Sequence, residues 1–185
     1  MVGLRSYTNL SYLHYTDMKK NDSTIVEGFP PLMCHEPRIL LLGTIPGKNS
    51  ISANEYYYDN SNRMWKMLAE LSTQKLPTNY TEKKVLLEHL HVVLWDYYQF
   101  VKRTNSTDKG ILEGTPNDIV GFVRKNPTIT KIAINGYGKY KEFGEKLQNQ
   151  FGQSIKVFRL PETSGLNASW TLEKLCKEWS VVFEL

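Results

Sequence analysis

Arg38-Ile-Leu-Leu-Leu-Gly-Thr-Ile-Pro-Gly47 is the stretch on which the fold of this chain turns. Ile39 to Leu42 is a continuous apolar run that stops at Gly43. Such a run, bounded by turn residues, reads as a buried parallel strand ending in a tight loop, here Thr44, Ile45, Pro46 and Gly47. In open α/β sheets, ligands sit outside the carboxyl ends of the strands. Gly43 and Gly47 let backbone approach a ligand closely. The loop leads into Lys48-Asn49-Ser50 and then into Asn54-Glu-Tyr-Tyr-Tyr-Asp-Asn-Ser-Asn-Arg-Met-Trp65. Polar and aromatic residues in that order make a cradle for a phosphate and a flat ring.

Outward from this strand, the pattern repeats. Met64, Trp65, Met67, Leu68 and Leu71 have helical spacing and predict a helix over 62–71. A second helix is expected over Thr81 to His89, with Thr81 as its cap. Val92 to Trp95 reads as a strand ending at Asp96. Pro116 to Asn126 reads as a helix capped by Thr115, with Pro116 at its first position. Lys131 to Ile134 is a third strand, ending at Asn135-Gly136, and Tyr137 to Phe151 is helical. Ser154 to Leu160 is a fourth strand, ending at Pro161. Leu172, Leu175, Trp179 and Phe183 share one face of a closing helix over Thr171 to Glu184. Four strands separated by helices predict an α/β fold: a three-layer α/β/α arrangement around a four-stranded parallel sheet. The loops at the strand ends should gather along one edge, and that edge is the expected site.

Residues 1–27 are weakly patterned, with a short helix or turn expected near Tyr7 to Met18, and Gly28-Phe-Pro-Pro31 is a rigid, extended lead-in to the first strand. There is no internal repeat, low-complexity tract or linker, so a single domain over 1–185 is expected.

At 185 residues, with 41% hydrophobic residues, the chain can bury a substantial core. No apolar stretch approaches the roughly 20 residues of a membrane span. Met1-Val-Gly-Leu-Arg5 lacks the apolar segment of a secretory signal, so a cytoplasmic location is expected, nucleoid-associated if the source is bacterial. Cys34 and Cys176, far apart in sequence, cannot alone ligate an iron–sulfur cluster or a structural zinc and read as free thiols. The four histidines form no metal-ligand pattern. Neither a GxSxG elbow nor a GxxxxGK[ST] phosphate loop is present. No metal, cofactor or membrane partner is expected, and the chain is expected to be a monomer. The net charge of +4 permits a polyanion partner. Eleven Tyr and four Trp exceed what a core needs: they suit wet surfaces and stacking on bases, or reflect an AT-rich genome that favours Tyr codons.

The order of motifs resembles the uracil-DNA glycosylase superfamily, with the nearest branch the hypoxanthine (deoxyinosine) DNA glycosylases, beside the mismatch-specific uracil/thymine enzymes. Gly28-Phe-Pro-Pro31, the first loop and the Tyr56 to Trp65 segment carry the resemblance. Leu94-Trp-Asp96 is similar to the branch's LWD, Ile134-Asn-Gly136 to its FNG, and Leu160-Pro-Glu-Thr-Ser-Gly-Leu-Asn-Ala168 to its LPSTSxANA. Ser164-Gly-Leu-Asn167 also resembles the SGLN of the mismatch enzymes. The resemblance covers roughly residues 28–180 and implies that Asn62 matches a leading Asn of the YYxHPxN segment. Many superfamily members carry a polar, water-positioning residue in the first loop, and here Ile45 stands at that position. Tyr58-Asp59-Asn60 replaces a small residue, His and Pro, and Glu162 replaces a Ser.

The chemistry supports the same candidates. A C1′–N bond breaks through an oxocarbenium-like state, with negative charge growing on the leaving base, and donors aimed at that base stabilise it. Asn62 is the leading donor, with Asn135, Asn167 and the backbone of Gly43 to Gly47 around it. Asp96 orients a water or caps the following loop, and Asp59 is the other candidate base. An enzyme acting on a duplex base must flip it out, which calls for phosphate contacts, a stacking platform and a wedge. Lys48 and Ser50 beside the first loop, and Thr163, Ser164 and Gly165 beside the fourth, are expected against DNA. Tyr57 is expected to stack on the base, and Leu166 to act as the wedge or to be buried. The expected activity is that of a monofunctional DNA glycosylase on DNA with a damaged or modified base: hypoxanthine first, uracil or mismatched thymine second. Two alternatives stay open: a degenerate fold that binds a nucleobase, nucleotide or protein without cleaving, and an enzyme for phage-type modified bases.

Overall fold

A computed structural model of the chain describes residues 23–105, 107–136 and 141–184. The elements begin with β1 (Thr24–Glu27), β2 (Ile39–Gly43), α1 (Lys48–Ala53), α2 (Met64–Leu71) and α3 (Tyr80–Leu90). Next come β3 (Val92–Asp96), β4 (Tyr98–Arg103), a 3₁₀ turn (Asp108–Gly110), β5 (Ile111–Pro116) and α4 (Ile119–Lys125). The order ends with β6 (Lys131–Asn135), α5 (Lys141–Phe151), β7 (Lys156–Leu160) and α6 (Leu172–Phe183).

The parallel sheet has the strand order β3-β2-β6-β7. Every residue of β2 is buried, as expected of a central parallel strand covered on both faces. Ile39 and Leu41 face one layer, packed with Met64, Met67, Leu68, Leu87, Leu175 and Trp179 from α2, α3 and α6. Leu40 and Leu42 face the other, with Ile119, Val123 and Leu147 from α4 and α5. The result is a three-layer α/β/α fold. The outer edge of β3 is covered by a bridge in which Leu32 and Leu94 exchange backbone hydrogen bonds of 2.8 and 3.2 Å. Among the described residues no helix is long and apolar enough to cross a membrane.

A second sheet was not anticipated. β1, β4 and β5 form an antiparallel sheet in the order β1-β4-β5, and β4 leaves β3 after a single residue, Tyr97. This sheet takes in part of the segment read as a weakly patterned extension. The helix expected near Tyr7 to Met18 lies outside the described residues. Two caps also differ from expectation. Asn79, not Thr81, caps α3, its Oδ1 accepting from the Glu82 N–H at 2.9 Å. Thr115 and Pro116 belong to β5, and Asp118 caps α4 by accepting from the Gly121 N–H. An edge strand accommodates Pro116 because its missing N–H is not needed by a partner. Cys34 is buried and Cys176 half-buried, both as free thiols.

Candidate active site

Parallel pairing brings the carboxyl ends of all four central strands to one edge. Gly43 and Asp96 are register partners there, as are Asn135 and Leu160. The chain leaving β3 borders the first loop: the Tyr97 N–H donates to the Gly43 carbonyl (2.9 Å) and the Tyr98 N–H to that of Thr44 (3.0 Å). Within the loop, Ile45 and Pro46 are buried. A Cβ on Gly28 would meet Ile45 Cδ1 at 3.3 Å, so the Ile45 side chain packs toward Gly28. Gly47 precedes α1, and Lys48 is exposed at the start of that helix.

Asn62 is fixed by its own amide. Its Oδ1 accepts from the Met64 N–H at 3.0 Å and from the Thr163 hydroxyl at 2.9 Å. A backbone N–H can only donate, so the atom facing it is the oxygen, and Nδ2 must point the other way. Asn62 therefore anchors the start of α2 while presenting an amide donor. Thr163 is fully buried and binds three ways: its N–H donates to Asn135 Oδ1 (3.0 Å), and its hydroxyl accepts from Asn135 Nδ2 (3.3 Å) while donating to Asn62. Asn135 Nδ2 also reaches the Tyr57 hydroxyl at 3.5 Å. Tyr57, Asn135, Thr163 and Asn62 thus form one chain of hydrogen bonds across the loop cluster. Thr163, expected against DNA, supports Asn62 instead.

Tyr57 sits at φ 50°, and its ring packs edge-on against Trp65 with centroids 6.5 Å apart. Burial and the nearby Asp96 push its hydroxyl well above the usual tyrosine range. Asp96 is 4% exposed, and its Oδ2 is buried with no hydrogen-bond partner. Burial, and then the charge of Asp108, raise its carboxyl to about 8. At neutral pH it is therefore held mostly as the neutral acid, which can donate a proton.

Asp59 is exposed. Its Oδ1 accepts from the Ser61 N–H (2.9 Å) and hydroxyl (2.6 Å), and its Oδ2 from Asn49 Nδ2 (2.8 Å). The Ser61 bonds, followed by that from Asn49, hold this carboxyl below its usual range. Ser50 is buried, and its hydroxyl accepts from the Tyr58 N–H at 3.2 Å, so it braces this segment from within.

The fourth loop is built around a residue that escaped the sequence reading. The Arg63 guanidinium donates to the carbonyls of Thr163, Ser164, Asn167 and Trp170, and its backbone N–H also donates to Thr163. Asn167 spends its own Nδ2 on the Glu162 carbonyl at 3.2 Å, so it shapes the loop. Gly165 lies against Ser61, where a Cβ would come within 2.5 Å of the Ser61 hydroxyl. Ser164 Oγ accepts from the Leu166 N–H at 3.3 Å, and Leu166 is 83% exposed at the tip. Asp108 was also missed: from the turn between β4 and β5 it accepts a 2.8 Å hydrogen bond from the Thr44 hydroxyl of the first loop. No group of three or more His, Cys, Asp or Glu among the described residues could hold a metal ion.

Comparison with known proteins gives a family whose model, the uracil DNA glycosylase superfamily, matches residues 30–184. The chain is 32% identical over 162 residues to the hypoxanthine DNA glycosylase of Methanosarcina acetivorans, covering 86% of this chain and 98% of that protein. It is 27% identical over 161 residues to the hypoxanthine DNA glycosylase of Methanosarcina barkeri, covering 85% and 98%. A solution structure from Methanosarcina acetivorans, provisionally described as a uracil DNA glycosylase, superposes with a TM-score of 0.73 at 27% identity, covering 86% of this chain and 97% of that one.

Proposed function

The chain belongs to the uracil DNA glycosylase superfamily, and from that premise we propose that it excises hypoxanthine first, and uracil or mismatched thymine second, from duplex DNA as a monofunctional, monomeric, cytoplasmic enzyme. It is a DNA N-glycosylase, a hydrolase of N-glycosyl bonds that acts in DNA repair.

The observation that carries the mechanism is the orientation of the Asn62 amide. With Oδ1 held by Met64 and Thr163, Nδ2 is a donor fixed in advance of the reaction. As the C1′–N bond lengthens, charge grows on the leaving base, and a donor already in place costs no reorganisation. Hypoxanthine offers a carbonyl and ring nitrogens as acceptors, which suits an amide N–H and the N–H groups of the first loop. Asp96, as a buried neutral acid beside Gly43, supplies a proton to the departing base. The exposed, turn-bound carboxylate of Asp59 keeps its charge away from that base, which supports the preference named in the Methanosarcina relatives. Tyr57 offers a ring to stack against. Lys48, Ser164 and Gly165 stand where strand phosphates would pass, and Leu166 is the wedge that fills the vacated stack.

Duplexes that each carry one deoxyinosine, deoxyuridine or G·T mismatch, followed by alkali cleavage, test this function. Strand breaks at deoxyinosine, exceeding those at the other lesions, are expected. DNA binding without breaks at any lesion would establish a non-catalytic binder instead.

A further inference from the structure

Holding a DNA strand against the fourth loop calls for positive charge beside it. From Leu160 to Glu173 the chain carries no lysine or arginine, and it carries two carboxylates, Glu162 and Glu173. Arg63, which reaches into the loop from α2, is committed to the loop carbonyls. Just past the loop the surface changes. A cleft of about 460 Å³ opens where the chain passes into α6, lined by Ser169, Trp170, Lys174, Lys177 and Glu178. The turn that closes the loop leads straight into it, with the Trp170 N–H donating to the Asn167 carbonyl at 3.1 Å. Trp170 is half-buried against the core and forms one wall. Lys174 and Lys177 are exposed, and their spacing of three residues puts them on one face of α6. The Lys174 ammonium folds back toward the loop and reaches the Ser169 carbonyl at 3.5 Å.

We propose that this cleft is a second DNA-binding site, which takes backbone phosphates of the strand running on from Leu166, with Lys174 and Lys177 as its cations. The proposal rests on the glycosylase function above and extends its DNA footprint onto α6. Topology puts the cleft in the right place. β7 delivers the fourth loop to the carboxyl edge of the sheet, and α6 starts from that same edge. Leu166, exposed at the loop tip, stands only four residues before Trp170, so wedge and cleft are neighbours on one surface. A DNA backbone carries its charge at every nucleotide whatever the base, so two ammonium groups one helical turn apart suit it and read no sequence. The ring of Trp170 offers an apolar wall to the sugars. Glu178, farthest along α6 from the loop, bounds the site with a charge that disfavours phosphate.

Such a site has a signature of its own. Neutralising a phosphate releases counterions, so each lost contact flattens the slope of log affinity against log salt by about 0.9 on duplex DNA. A site that holds only backbone acts on damaged and undamaged duplexes alike. Its contribution is to affinity, and the rate of the fully bound complex does not depend on it.

The test is the affinity of Lys174→Ala and Lys177→Ala, singly and together, for a deoxyinosine duplex and its undamaged counterpart across a range of salt. Melting temperature and single-turnover excision at saturating enzyme are measured in parallel. The double variant should bind both duplexes roughly tenfold more weakly at low salt, with a slope flatter by about 1–2. Its melting temperature and saturated rate should stay at wild-type values, because both side chains are exposed. Lys174→Arg with Lys177→Arg keeps the charge and should keep the slope. Lys125→Ala removes an exposed lysine from the end of α4, at the opposite edge of the sheet, and should change neither affinity nor slope. A double alanine variant with wild-type affinity and slope would overturn the site. So would a loss in Lys125→Ala equal to that in Lys174→Ala, which would be an effect of net charge alone. Wild type that binds the duplexes and cuts no lesion would instead refute the glycosylase function, and the slopes would still decide the cleft.

Discussion

Gly43 and Asp96 face each other across the β2–β3 pair so closely that a Cβ on Gly43 would lie 2.4 Å from Asp96 Oδ1. The same Cβ would sit 3.0 Å from the Tyr57 hydroxyl. The glycine is thus needed for space, and two groups of the site converge on the room it leaves. Gly43→Ala must displace a buried carboxyl, the Tyr57 ring, or both. Its expected cost is about 1–3 kcal/mol, as for overpacking an ordered interior. Excision should fall with stability, because both displaced groups line the site. Urea unfolding and single-turnover excision measure the pair, and a variant equal to wild type in both would show that Asp96 swings aside freely.

Asn62 serves both the fold and the chemistry, and two substitutions separate these roles. Asn62→Ala removes the Oδ1 acceptor of the Met64 N–H and the Nδ2 donor together. It should lose about a hundredfold or more in excision and about 1 kcal/mol in stability. Asn62→Asp keeps an acceptor for Met64 and Thr163 but has no amide donor. It should match wild type in melting temperature and remain as inactive as the alanine variant. An aspartate variant with near-full activity would leave Asn62 as a structural residue alone.

The raised carboxyl of Asp96 makes stability depend on pH in a defined direction. In the folded chain it keeps its proton up to about pH 8, whereas in the unfolded chain it ionises near about 3.9. Below that lower value both states are protonated and no slope arises. Between about 4 and 8 the folded state holds the extra proton, so raising the pH favours unfolding. The stability that Asp96 contributes is present in acid and lost as pH rises toward 8. Asp59, with a lowered carboxyl, acts oppositely and loses its contribution only in stronger acid. The stability difference between wild type and Asp96→Asn should therefore drift against wild type from pH 5 to pH 8, read as urea midpoints. A constant difference would show that Asp96 ionises normally.

The central sheet was legible because β2, β3 and β6 are buried on both faces, so each reads as an uninterrupted apolar run. The second sheet was not, for a physical reason. β1 and β5 are largely exposed and carry no apolar alternation, and their register comes from backbone pairing with β4. Missing β5 also misled the reading of Thr115 and Pro116 as a helix start. At the site, Asn62 stands out in the sequence through its motif resemblance, and its tie to Met64 is local in the chain, whereas its tie to Thr163 is not. Asp108 was not, because a single Asp in Thr104-Asn-Ser-Thr-Asp108 reads as a solvated turn until the hairpin brings it to Thr44. Arg63 was overlooked similarly: its partners lie about a hundred residues away, at 163, 164, 167 and 170.

Leu166 and Arg63 give opposite expectations, and together they test how the fourth loop works. Leu166 is 83% exposed, so truncating it removes almost no buried contact. Leu166→Ala should keep the wild-type melting temperature. Flipping a base from a duplex costs a few kcal/mol of unstacking, which an inserted apolar side chain offsets. Excision from duplex deoxyinosine should therefore fall roughly tenfold or more. A single-stranded substrate needs no wedge and should be cut at the wild-type rate. Arg63→Ala instead leaves several loop carbonyls without their donor, at about 1–3 kcal/mol for such unmade hydrogen bonds. Its melting temperature should fall. Because Thr163 orients Asn62 from the same loop, excision should drop on single-stranded and duplex DNA alike. Rates on the two substrates, taken beside melting curves, distinguish a residue that flips from one that holds the site together. Equal losses on both substrates in Leu166→Ala would remove the wedge role from Leu166.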